Sequence, residues 1–290
     1  VLLQAFSDNV QKEHNDEILF SVVTSLFHAR VSSAGGGALQ SFELIDAAKS
    51  RHKFLGGYDD NYQFQDSIPV SLILNSTNCA PCLADGGAVD SNVLFSSPFV
   101  VVSPSIFPNQ VFNLSQEDSL VVQMVFYNEE QTIYKTTVFY GSKYIIKHSY
   151  NISPPPNNTF SYDVLWLGGM RNTEKNSTEE LTYTQAYLAQ DKDISDFYIT
   201  PKEEDSIIKR DSYHGQVDWV AMRNKYFINA FVPLNKSSGG FLGGRSFKTS
   251  SGALVPEYTM GLRVSNSASF TVNQFFGPLD VDLVSETNTY

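Results

Sequence analysis

Residues 17–31 read EILFSVVTSLFHARV, residues 35–37 are Gly35-Gly36-Gly37, and residues 38–45 read ALQSFELI. Apolar and polar residues alternate on both sides of the glycines, the period-2 pattern of strands that show one face to a core. The glycines supply the positive φ that a tight reversal needs. The reading is strand, glycine turn, strand, with Leu39, Phe42 and Leu44 pointing inward. Similar segments follow at short intervals, among them Ser119 to Tyr127, Gln131 to Tyr140, Leu181 to Leu188, Asp218 to Val232, Gly252 to Val255, Glu257 to Val264 and Ala268 to Phe276. Roughly fifteen strands, punctuated by Asn, Gly, Pro and Asp and without a helical period, predict an all-β sandwich with few or no helices. The 21 Phe and 15 Tyr suit pleated surfaces.

At 290 residues and 42% apolar, the chain has enough material for a sizeable core. Charged residues are 18%, below the usual share of about 25%, which argues against disorder or a coiled coil. Twenty Lys+Arg against 31 Asp+Glu give −11, so phosphate backbones are repelled and nucleic acid is not an expected partner. An anionic membrane surface offers little attraction either. The most apolar runs are broken by Pro98, Pro104 and Pro233, well short of the ~18–20 apolar residues that span a bilayer. Val1 opens the chain without Met, a basic region or a cleavage site, so the expectation is a mature or excised piece. Residues 1–16 read as a loose polar arm and 17–284 as one domain, with Pro154 to Asn158 as a stiff loop inside it.

Candidate chemistry is sparse. Cys79 and Cys82 lie in NSTNCAPCLADGG, a C-x-x-C in an Asn/Gly/Ala-rich loop. A loop disulfide or two idle thiols fit this setting better than redox or zinc chemistry, because five His offer no second ligand cluster. Asp59-Asp60, Glu129-Glu130, Glu179-Glu180 and Glu203-Glu204-Asp205 read as solvated surface, not as the cleft-spanning pair of a glycosidase. His28 and His148 sit in strand patterns and read as structural or surface residues; an epimerase would need a His facing a Glu. Ser237 to Arg245, SSGGFLGGR, lacks the Lys-Ser/Thr and helix of a phosphate cradle and reads as a hairpin loop. Asp280 and Asp282 read as two acids on one face of a strand. No catalytic, cofactor-binding or metal residue is expected.

Four blocks carry a family resemblance. They are Ile18 to Leu44, with LFHARVSSAGGGALQSFEL at 26–44; WLGGMRNTEKNSTEELTYTQAY at 166–187; DWVAMRNKYFINAFVP at 218–233; and FFGPLDVDLV at 275–284. Their order and spacing from about residue 16 onward resemble the large periplasmic domain of the YidC/Oxa-type membrane protein insertases of Gram-negative bacteria. The resemblance implies a large twisted β-supersandwich, similar in fold to galactose mutarotase. In that family a signal-anchor helix precedes the domain and membrane helices follow it, so residues 285–290 would begin the linker to the membrane. A fragment lacking those helices is expected to be free of the bilayer.

By the same resemblance the whole protein inserts and helps to fold inner-membrane proteins, alone or with the Sec translocon. The domain sits on the periplasmic side as a non-enzymatic contact module for Sec accessory subunits and nascent membrane proteins, without a cofactor. Motif residues then have structural roles: Gly35 and Gly36 in the turn, Trp219, Tyr226, Phe227 and Phe231 in the core, Trp166, Phe276 and Gly277 as further scaffold positions, and Pro278 at the end of the last strand. Pro278 cannot donate to a ladder and so stops that strand. The alternative is a free secreted sandwich that binds or epimerises carbohydrate, since folds do not fix function.

Overall fold

The computed structural model describes residues 16–45, 54–86, 94–154, 161–205, 208–265 and 267–286. The expected arm therefore lies outside the described residues except for Asp16, as do 155–158 of the proline loop and 287–290 of the expected linker. Pairing of alternating segments builds four sheets. The first hairpin gives β1 (Leu19–Val23), β2 (Phe27–Ser32) and β3 (Ala38–Leu44), extended by β9 (Gln110–Asn113), which runs parallel to β1. A two-stranded sheet, β4 (Leu55–Tyr58) with β5 (Phe64–Pro69), follows it in the chain.

The six-stranded sheet runs β16 (Lys209–His214), β19 (Gly239–Lys248), β20 (Leu254–Ser265), β13 (Ser161–Trp166), β6 (Cys82–Asp85) and β7 (Leu94–Phe95). The nine-stranded sheet begins β15 (Asp193–Phe197), β14 (Gln185–Gln190), β17 (Trp219–Arg223), β18 (Phe227–Pro233) and β21 (Ser269–Pro278). It continues through β12 (Ile145–Ser153), β11 (Thr132–Tyr140) and β10 (Ser119–Tyr127) to β8 (Val100–Ser103). β14 and β17 pack on β19 and β20, so the two large sheets face each other. Their inner faces and that of the four-stranded sheet share one apolar core. The all-β sandwich expected from the alternation is the fold.

An aromatic column ties the three sheets together. Phe27 stacks on Phe42 (4.6 Å between centroids), Phe42 on Phe276 (4.7 Å), and Trp166 meets Phe276 edge-on (5.2 Å). Trp166 also donates its indole N–H to the Gly169 carbonyl. Leu39, Phe42 and Leu44 are buried as the alternation predicts.

Several expectations are corrected. The run 17–31 is two strands, because the Thr24 hydroxyl accepts from the Leu26 and Phe27 amides and turns the chain. Asp218 to Val232 is likewise a hairpin, turned by the Asn224 carboxamide accepting from Tyr226 and Phe227. Tyr226, expected in the core, sits in that turn and is 46% exposed. Trp219 is only partly buried, on the outer face.

The glycine-rich segment expected as a loop is β19, interior to the six-stranded sheet, and 252–264 holds a single strand where two were expected. Leu181 to Leu188 is strand only from Gln185; before it stands α1 (Ser177–Leu181), capped by Asn176. The acids at 280 and 282 belong to α2 (Val281–Ser285), where Asp280 caps the Asp282 and Leu283 amides. Strand alternation cannot be told from the start of a one-turn helix over three residues.

Candidate functional site

Outward residues of β1–β3 floor a groove of about 830 Å³, walled by the β4–β5 hairpin and by residues 71–76. Alternation places them there: Phe27, Ala29 and Val31 point into the core, leaving His28 and Arg30 outside. Register pairs His28 with Glu43 across β2 and β3, with Nδ1 3.6 Å from Oε2. Both side chains are a third or more exposed, at 40% and 34%. A His facing a Glu, which sequence alone did not place, is therefore present in an open, polar groove. The acids here are Glu17, Glu43, Asp59 and Asp60, and the guanidinium groups are Arg30 and Arg171. Such a surface can hold a polar, mixed-charge segment by hydrogen bonds and ion contacts.

Arg171 fixes the wall. Its guanidinium donates to the carbonyls of Ile73 (2.9 Å), Tyr58 (2.8 Å) and Asp59 (3.2 Å). Burial pulls its pKa below the ordinary value, opposed mainly by Asp60. The helix that follows, α1, carries Glu180, read from sequence as solvated but fully buried. Its carboxylate accepts from the Thr173 amide and hydroxyl and from the Glu174 amide. Burial nevertheless holds its pKa above the ordinary value. Arg171 was given no role in the sequence and Glu180 was misread as surface, because a pinning arginine and a buried carboxylate look like surface charge until the chain is folded around them.

The other sequence candidates lie apart from the groove. Cys79 and Cys82 are joined by a disulfide, buried at 2% and 0% exposure. His148 is buried in a row of side chains crossing the nine-stranded sheet. Its Nε2–H donates to Gln274 Oε1 (3.1 Å) and its Nδ1 accepts from the Thr137 hydroxyl (3.4 Å). Burial and the neighbouring Lys135 hold its pKa well below the usual value, so the ring is neutral. Gly35 and Gly36 have φ of 61° and 71°, and a Cβ on Gly36 would lie 2.8 Å from Lys135 Cδ. Phe227 is buried against Phe54, Gly277 lies against the Tyr144 ring, and Pro278 ends β21.

Fold and surface together define an all-β sandwich with an open, polar groove beside its four-stranded sheet. The family model described as the YidC periplasmic domain matches residues 83–290, and the chain belongs to that family. It is 26% identical over 302 residues to the membrane protein insertase YidC of Chloroherpeton thalassium, covering 99% of this chain and 46% of that protein. With the membrane protein insertase YidC of Chlorobium luteolum it shares 28% over 282 residues, 92% of this chain and 43% of that one. The chain thus spans about half the length of these relatives. Among solved structures it is similar to a galactose mutarotase related enzyme from Lactobacillus acidophilus, at TM-score 0.45 and 8% identity over 89% of this chain and 97% of that one.

Proposed function

We propose that this chain is the periplasmic domain of a membrane protein insertase, placed on the outer side of the inner membrane as a non-catalytic contact module. The family match over 83–290, with insertases as full-length relatives, is the observation that carries the reading. Residues 17–284 form its single domain, and α2 leads toward the linker. Insertion itself requires a polar path among membrane helices, and among the described residues no helix is long and apolar enough to cross a bilayer. What the domain contributes is surface, offered to Sec accessory subunits and to emerging membrane-protein clients. The motif residues Gly35, Gly36, Trp166, Phe227, Phe276, Gly277 and Pro278 serve that surface as scaffold.

Antibody raised against the 32.3 kDa chain tests this on the native gene product. The expected product has about twice that mass, as the relatives' coverage implies, and resists alkaline carbonate extraction. A product near 32.3 kDa that carbonate strips from membranes would overturn the reading.

A further inference from the structure

β17 and β18 carry apolar side chains on both faces, broken only by Asn229 on the core side and by Arg223 at the outer end of β17. Val220, Met222, Phe227 and Phe231 fill the core. On the opposite side, Trp219, Ala221, Ile228, Ala230 and Val232 floor a groove of about 360 Å³. Strands with two apolar faces belong where both faces are covered. Here the outer cover is α2 and the residues entering it, with Leu279, Val281 and Val284 on the groove's far side. α2 is five residues long and Val281 is 84% exposed, so among the described residues the groove stays open.

Size and charge select an occupant. A trough of this volume admits one stripe of side chains from a helix lying across the sheet, but not a whole helix. Among the described residues the one charged lining residue is Asp280; Asp282 follows on α2 and Asp218 adjoins Trp219, while Arg223, at the end of the same face, turns its guanidinium onto the Asn224 and Lys225 carbonyls. With −11 on the chain as a whole, an anionic bilayer or an acidic partner is repelled. A helix with an apolar stripe and a basic flank is matched on both counts.

We propose that this groove receives such a helix from a partner polypeptide, of the kind a membrane protein presents before it is embedded. The identification of the partner as an insertase client rests on the function proposed above. The groove and its preference for a cationic amphipathic helix stand on the geometry alone.

The two tryptophans separate signal from background, because Trp166 is fully buried in the core and Trp219 lines the groove. The 290-residue chain is titrated with a synthetic helical peptide bearing a Leu/Ala stripe and Lys flanks. A twin with Glu flanks and vesicles of phosphatidylcholine with phosphatidylglycerol are titrated in parallel. The expected result is a saturable blue shift of Trp219 with the Lys peptide, and binding about tenfold or more weaker for the Glu twin. Val232→Arg and the exposed-site variant Val281→Arg, each checked for native circular dichroism, are expected to weaken the Lys peptide by a similar factor. A silent Trp219, equal affinity for the twins, or unchanged binding by Val281→Arg would overturn the proposal. So would a shift produced by vesicles alone, or by self-association without peptide. A membrane-embedded gene product with a silent Trp219 overturns the groove alone; a responsive Trp219 on a product that carbonate strips overturns the insertase reading alone.

Discussion

Lys135 is 1% exposed, and its ammonium nitrogen is held by the carbonyls of Gly35 (3.2 Å) and Pro81 (3.3 Å), with the Tyr150 ring at 5.3 Å. One side chain thereby joins the glycine turn to the cysteine loop. Burial pulls its pKa down from 10.5 to about 7. The groups around it do not titrate in the same window, since His148 is neutral well below it and burial raises Tyr150 above its ordinary value. Between pH 7 and about 10 the unfolded chain therefore binds a proton that the folded one has released, so stability rises with pH. Below pH 7 both states are protonated and the full penalty of burying the charge is present. Denaturant titrations from pH 7 to 9.5 should show wild type gaining a few kcal/mol on this account. Lys135→Met should lack that gain, so the gap between the two proteins changes steadily across the window. A constant gap would mean that the amine is not depressed.

Among the elements, β19 shows how backbone proximity replaces side-chain pattern. Its glycines lie between β16 and β20, and opposite them Gly261 leaves the space that the Phe241 ring fills. Arg210 covers the other side of that ring at 4.1 Å. Gly261→Ala would put a methyl group inside the ring's position and should cost ~1–3 kcal/mol by overpacking. Gly252→Ala meets open space and bears only the strain of φ +85°, so it should cost about 1 kcal/mol, the smaller of the two losses. Chemical denaturation of the two variants checks the ranking, and equal losses would contradict it. This is also why β19 was illegible in the sequence: SSGGFLGGR carries a turn's composition, and only the close approach of neighbouring strands explains it. Strands with strict alternation were legible nearly to the residue, as at Ser119–Tyr127. The hairpin turns at Thr24 and Asn224 were not, because each is made by a single side chain capping amides within a stretch that reads as one continuous strand. The groove floor was half legible. Alternation places His28 and Glu43 outside, but only register brings them opposite each other.

At the scale of the molecule, three of the four blocks that carry the family resemblance meet in one place. Phe27 and Phe42 come from the first, Trp166 from the second and Phe276 from the last, and the column they form joins the two large sheets to the four-stranded one. Residues near both ends of the described chain thus share a core with its middle, and the nine-, six- and four-stranded sheets all bury side chains in that one cluster. Such a core predicts that the domain unfolds as one unit despite its length. Phe276→Ala removes the ring that bridges the column and should cost ~3–5 kcal/mol. The loss should lower the midpoint reported by Trp166 fluorescence, near-ultraviolet circular dichroism and calorimetry together. Were the four-stranded sheet a separate unit, the variant would instead split the transition, with calorimetric and van't Hoff enthalpies diverging. The disulfide does not bias this test, since it closes a loop only three residues apart in sequence and ties no sheet to a distant one. Coincident transitions would establish that the contact faces, groove and outer trough alike, are held by one cooperative scaffold, so that a partner engaging either face meets a preformed surface.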